Sequence, residues 1–201
     1  VLMIVVASLP AHAHPVRIDR DFYKPEPACP RTASWAKLAR CQFKAVKVEL
    51  LQDLPIAKLV AYQAPGYERG TKHLELYLLA NRAWVKSGFY ADTNAQTELL
   101  AFKPAGDRYR LDMGYASATW VSTDEVSSRP AMLKRQFTYF CSATTGCTTV
   151  MTSCDVLVHG KAIASFRGEP QWDGNTLRIR GDGRNTNRYC TRPPNLIESD
   201  G

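Results

Sequence analysis

The chain runs to 201 residues, and 26 basic against 19 acidic side chains leave it at a formal charge of +7. That length excludes a chain too small to bury a core of its own, and it requires no second domain. The positive balance favours anionic partners such as lipid head groups, acidic polysaccharide or nucleic acid, through a field that salt screens, without choosing among them.

Residues 1–13 read as an export signal. Val1 to Leu9 are apolar except Ser8, a run well short of the roughly 20 residues that span a bilayer. Pro10 ends the run, and Ala11-His12-Ala13 offers the small residues that signal peptidase requires before its cut, so cleavage is expected between Ala13 and His14. The basic residues that normally precede such a run would lie ahead of Val1. The first cysteine is Cys29, so no lipid-attachment cysteine stands beside the cut. The expectation is an exported protein, periplasmic or extracellular, with no transmembrane segment in its mature form.

Residues 14–30 follow as an extended leader, with three prolines between Pro25 and Pro30 and hence no regular structure. The stretch TASWAKLARC sets Trp35, Leu38 and Ala39 at helical spacing behind Thr32 or Ser34 as caps. It predicts one short helix, tethered at Cys41. Beyond it the period is two: KAVKVELL, AKLVAYQ, HLELYLL, AWVKSGFY, TELLAF, RYRLDMG, SATWVS, RQFTYFC, CDVLVHG, AIASFRG and TLRIRG alternate or nearly alternate between turn residues. These eleven segments predict an antiparallel meander. Leu74, Leu76 and Leu78 share one face, and Tyr109, Leu111 and Met113 oppose Arg108, Arg110 and Asp112. Asn81-Arg82 and Pro104-Ala105-Gly106-Asp107 are hairpin-like links. No repeat of fixed period is present, which sets aside a propeller or solenoid. The fold class is therefore all-β: an antiparallel meander in a single domain over residues 31–190, closing as a sandwich or a barrel, with one short N-terminal helix and disulfides. Residues 191–201, polar and Pro-rich, read as a loose tail.

The six cysteines, Cys29, Cys41, Cys141, Cys147, Cys154 and Cys190, form an even set, which in an exported chain reads as a disulfide framework. Cys29 and Cys41 stand far from the rest and bracket a short segment, so they are joined first. Cys141 and Cys147 flank a Gly-containing turn, which leaves Cys154 for Cys190; the alternative set joins Cys147 to Cys154 and Cys141 to Cys190. Each bridge is worth about 3 kcal/mol by restricting the unfolded chain. Zinc knuckles need thiolates closer together than these, and no C-x-x-C occurs, so no metal site is expected.

Nothing in the sequence carries a recognisable catalytic motif. There is no G-x-S-x-G, and paired cysteines are not nucleophiles. Glu75, Asp112, Asp124, Glu125, Glu169 and Asp173 are too many to single out a carboxylate pair for glycoside hydrolysis, and solvated surface charge is the expectation for each. Asp173, Asn175 and Asp182 do not match a calcium loop and suit turns instead, and Arg180-Gly181-Asp182 is too brief a tripeptide to inform. Arg178, Arg180, Arg184, Arg188 and Arg192, with Tyr189 among them, form a candidate basic strip for phosphate or sulfate. Its competing role is a charged sheet edge that discourages aggregation. Trp84, Tyr90, Tyr109, Tyr115, Trp120 and Trp172 would stack on sugar rings where exposed and pair across strands where buried.

His14, as a new N-terminus, would offer its amine and ring nitrogens together, with His73 or His159 to complete a T-shaped copper site. That arrangement resembles the histidine brace of lytic polysaccharide monooxygenases, which are also exported, disulfide-bonded β-sandwiches; the resemblance covers one residue and a processing site, and implies an oxidative enzyme acting on polysaccharide. The leading expectation is instead a non-catalytic binding or cell-envelope component without cofactor, whose basic surface meets an anionic envelope or polysaccharide ligand and not nucleic acid. A further alternative, a barrel carrying a small apolar ligand, requires an internal cavity lined by residues such as Leu76, Leu78 and Leu111.

Overall fold

In a computed structural model of the chain, residues 28–44, 46–63, 71–122, 128–173, 176–182, 190 and 196–198 are described. The leader's end is pinned by the Cys29–Cys41 disulfide to the helix α1 (Trp35–Gln42). Of the two cap candidates Ser34 takes the position: its hydroxyl accepts from the Lys37 amide at 3.4 Å, while Thr32 Oγ1 accepts from the Ser34 amide. Leu38, Trp35 and Phe43 pack on Val60, Tyr77 and Trp84 of the sheet beneath, and the Trp84 indole donates to the Ala33 carbonyl at 3.0 Å.

That sheet has four antiparallel strands in chain order, β1 (Val48–Leu54), β2 (Ala57–Tyr62), β3 (Lys72–Ala80) and β4 (Ala83–Thr93). The remaining strands form a second sheet of seven, again sequential: β5 (Thr97–Ala105), β6 (Arg108–Ser122), β7 (Ser128–Ser142), β8 (Gly146–Val158), β9 (Lys161–Asp173), β10 (Thr176–Asp182) and β11 (Leu196–Glu198). The link at Asn81-Arg82 is a two-residue turn with both φ positive, at 49° and 62°, as the twist of a tight hairpin favours.

The alternation read from the sequence decides which faces meet. Leu74, Leu76 and Leu78 of β3, with Leu59 and Phe89, pack against Leu111, Met113 and Cys141 of the larger sheet. The two sheets are open and share this core, so the meander does not close as a barrel. Leu76, Leu78 and Leu111, named above as liners of a barrel cavity, lie packed in it. Further along the larger sheet a second core gathers Leu133, Val156, Phe166 and Ile179 around the Cys154–Cys190 bridge.

Two elements differ from the sequence reading. RYRLDMG and SATWVS are one 15-residue strand, β6, because Tyr115-Ala116 between them supplies no turn residue. The segment expected as a loose tail contributes β11, which pairs parallel with β10 through Ile179 and Leu196. Disulfides join Cys29 to Cys41, Cys141 to Cys147 and Cys154 to Cys190; Cys141 and Cys147 face each other directly across the β7–β8 hairpin, which excludes the alternative set. Among the described residues no helix is long and apolar enough to cross a membrane.

Candidate functional site

The alternation that hides Leu111 and Met113 between the sheets turns Arg110 and Asp112 to the outer face of the larger sheet. Asp112 is nevertheless only 5% exposed. Arg110 Nε donates to its two oxygens at 2.9 and 3.1 Å, and Thr138 Oγ1 donates to it at 2.6 Å. Thr138 Oγ1 in turn lies 3.4 Å from Thr152 Oγ1, whose hydroxyl donates to the Gln136 carbonyl. Thr152 joins this row because a bulge leaves it unpaired: Gln136 pairs with Ser153 and Phe137 with Met151. A carboxylate withdrawn from water needs a cation and donors of this kind.

The cover comes from the β9–β10 hairpin. Its pairing with β8 stops at Ser153 and Arg167, while β9 and β10 stay paired out to Asp173 and Thr176. Trp172 at the far end meets the Phe140 ring edge-on at 5.5 Å, and the Arg108 guanidinium stacks 3.6 Å from the Trp172 ring. A cavity of about 430 Å³ is lined by Arg110, Gln136 and Thr152 on one side and by Arg167, Glu169, Arg180 and Asp182 of the hairpin on the other. In a flat sheet β6 and β10 would stand roughly 19 Å apart, so the sheet curls to enclose it. Gly168 and Gly181, opposite one another in the hairpin, permit the close approach: a Cβ on Gly181 would meet the Arg167 carbonyl oxygen at 2.1 Å, and one on Gly168 would meet Ile179 Cγ2 at 2.2 Å.

A second cavity of about 400 Å³ shares Gln136 and Ser153 with the first. The Asn94-Ala95-Gln96 turn, Glu98 and Leu100 border it, and Gly114, Ala116, Lys134 and Asp155 contribute to its walls. Together the two make one groove along the outer face.

The groove holds part of the basic strip read from the sequence. Arg180 lines the first cavity and forms no ion pair among the described residues. Arg178, on the same side of β10 opposite the buried Leu177 and Ile179, pairs with Asp173 at 3.1 Å. Arg184, Arg188 and Arg192, with Tyr189, lie outside the described residues. Arg110 and Arg167 take their place beside Arg180; Arg167 Nη2 also holds Asp155 Oδ2 at 2.5 Å. The alternation had set Arg110 and Asp112 on one side of their strand, but nothing local to Arg167, Gln136 or Thr152 announces the curl that brings them in.

Two carboxylates correct the expectation of solvated charge. Asp112 is one; the other is Glu75, 5% exposed beneath the helix. It accepts from the Tyr62 hydroxyl at 2.8 Å, the Tyr77 hydroxyl at 2.5 Å and Lys86 Nζ at 3.1 Å. Glu169 lines the cavity, and Asp124 and Glu125 lie outside the described residues. Nearby, His73 is buried in β3 with Nδ1 2.5 Å from Asp92 Oδ1 and 2.6 Å from the Tyr90 hydroxyl. His159 sits exposed in the β8–β9 turn of the other sheet at φ +48°, and His14 lies outside the described residues. Among those described, no group of three or more His, Cys, Asp or Glu side chains is placed to hold a metal.

Burial sorts the aromatic residues. Trp84 is core, Tyr109 stacks on Phe102, and Tyr115 packs edge-on against Phe137, with burial and the neighbouring Tyr139 hydroxyl holding its phenol well above the usual range. Tyr90 and Trp120 stand exposed. Comparison with known protein families, curated proteins and solved structures finds no match to this chain.

Proposed function

We propose that the chain is an exported, disulfide-stabilised binding protein of the periplasm or extracellular space, and that its groove takes an anionic group. The observation that carries this reading is the convergence of Arg110, Arg167 and Arg180, from three strands, on one cavity. Guanidinium groups suit phosphate, sulfate and carboxylate because their donors form a planar fork. Arg110 and Arg167 are each held by a carboxylate, Asp112 and Asp155, so their donors are oriented before a ligand arrives. Arg180 forms no ion pair among the described residues and adds a third guanidinium to the same wall, which Glu169 and Asp182 share. Export is supported by the apolar run with its small-residue cut site and by the pairing of all six cysteines, which an oxidising compartment favours. A cavity of about 430 Å³ fits a small ligand or one residue of a larger one, and is no seat for a nucleic-acid duplex.

Calorimetric titration with ethyl phosphate at low salt tests the reading. The expected result is saturable binding that weakens as salt rises and drops roughly 10- to 100-fold in Arg180→Gln, as loss of a charge-assisted contact dictates. Equal titrations for the parent and Arg180→Gln proteins would sink it.

A further inference from the structure

The groove continues beyond its cavities. On the outer face β6 runs Arg110, Asp112, Gly114, Ala116, Ala118, Trp120 at every second residue, and opposite Gly114, Ala116, Ala118 and Trp120 β7 sets Gln136, Lys134, Met132 and Pro130. Polarity falls steadily along this line. The charged end, with Arg110, Arg167 and Arg180 beside Glu169 and Asp182, lies under the β9–β10 hairpin, the middle is floored by small residues, and the far end is apolar. Trp120 there is 64% exposed and Met132 40%, while Leu100 at the side of the second cavity is 48% exposed. Leu157 of β8 extends the apolar end, since it pairs with Met132. Scattered exposed apolar residues are ordinary; Ala118, Met132 and Leu157 stand in register across three strands and begin one repeat of the pleat past the wall of the second cavity, at Ala116 and Lys134. The Lys134 stem can lie along an apolar ligand while its ammonium stays in water.

Resting on the anion-binding reading, we propose that the ligand is an anionic amphiphile, a single molecule with a phosphate-like head and a long acyl or alkyl chain. The head meets Arg180, Arg110 and Arg167, and the chain lies over Gly114, Ala116 and Ala118 to end against Trp120 and Met132. From Gly114 to Trp120 the strand spans roughly 20 Å, the length of an extended long-chain acyl group. Small side chains keep that floor shallow, so the chain is half covered and its contribution grows with length.

The test compares dodecyl phosphate below its micellar concentration with ethyl phosphate and with the uncharged dodecyl maltoside, all by calorimetry on the oxidised protein. Dodecyl phosphate is expected to bind on the order of 100-fold more tightly than ethyl phosphate. Trp120→Ala combined with Met132→Ser, both exposed positions, should remove at least about tenfold of that advantage and leave ethyl phosphate unchanged. Equal affinity for the two phosphates, with the Arg180 dependence intact, would overturn the amphiphile and leave the anion site standing. Dodecyl maltoside binding as tightly as dodecyl phosphate, with neither responding to Arg180→Gln and with ethyl phosphate failing to bind, would overturn both. Failure of dodecyl phosphate monomers to bind, beside binding to anionic vesicles, would replace the single-molecule ligand with a membrane surface and so refute the proposal.

Discussion

Asp112 and Arg110 form a buried pair in which each partner makes the other tolerable. Removing the carboxylate strands the guanidinium and the Thr138 hydroxyl together, whereas replacing a whole buried pair by apolar groups is often neutral. Arg110 keeps 19% of its side-chain exposure, so water repays part of the loss. Asp112→Ala is expected to lower stability by about 2–3 kcal/mol in urea denaturation, and Asp112→Ala with Arg110→Met by less than either change alone would suggest. A full additive loss in the double variant would show that the two side chains act separately. The position of Asp112 opposite Leu111 was legible from period two alone. Its burial was not, because alternation assigns a residue to a face and says nothing of what later covers that face. Glu75 carries the same lesson, since the helix above it announces its own apolar stripe and not the polar residues beneath.

Among the elements, the β9–β10 hairpin shapes the site most. Both strands were readable from AIASFRG and TLRIRG, but their reach was understated: β9 runs to Asp173 and β10 to Asp182. Glycines that end a local alternating pattern look like punctuation. Gly168 and Gly181 instead sit within the paired strands, where the backbones approach more closely than any side chain allows. Gly181→Ala is expected to cost about 2 kcal/mol by overpacking against the Arg167 carbonyl, and to weaken ethyl phosphate binding with it, because Arg167 and Arg180 flank the pair. Chemical denaturation and calorimetry on the same variant check both; a variant that loses neither stability nor affinity would separate the glycine pair from the cavity. The curl itself is a property of several strands acting together, which is why Arg180 was singled out from sequence while Arg167 was not.

At the scale of the whole molecule, the choice between sandwich and barrel lay beyond alternation, since both bury every second residue. The three disulfides constrain that architecture unequally. Their closures span 36, 12 and 6 residues for Cys154–Cys190, Cys29–Cys41 and Cys141–Cys147, and loop entropy alone assigns them about 4, 3 and 2 kcal/mol. Replacing each pair by serine should therefore depress the thermal midpoint most for Cys154–Cys190 and least for Cys141–Cys147, as read by calorimetric melting; the reverse order would mean that native packing and not chain closure dominates. The same connectivity bears on how the protein is made. Every cysteine is bonded to its immediate neighbour in the cysteine order, so an oxidase that joins thiols in the sequence in which they leave the ribosome or the translocon arrives at the native set without a reshuffling step. Cys154 waits longest, held as a thiol until the last hairpin and Cys190 have followed it.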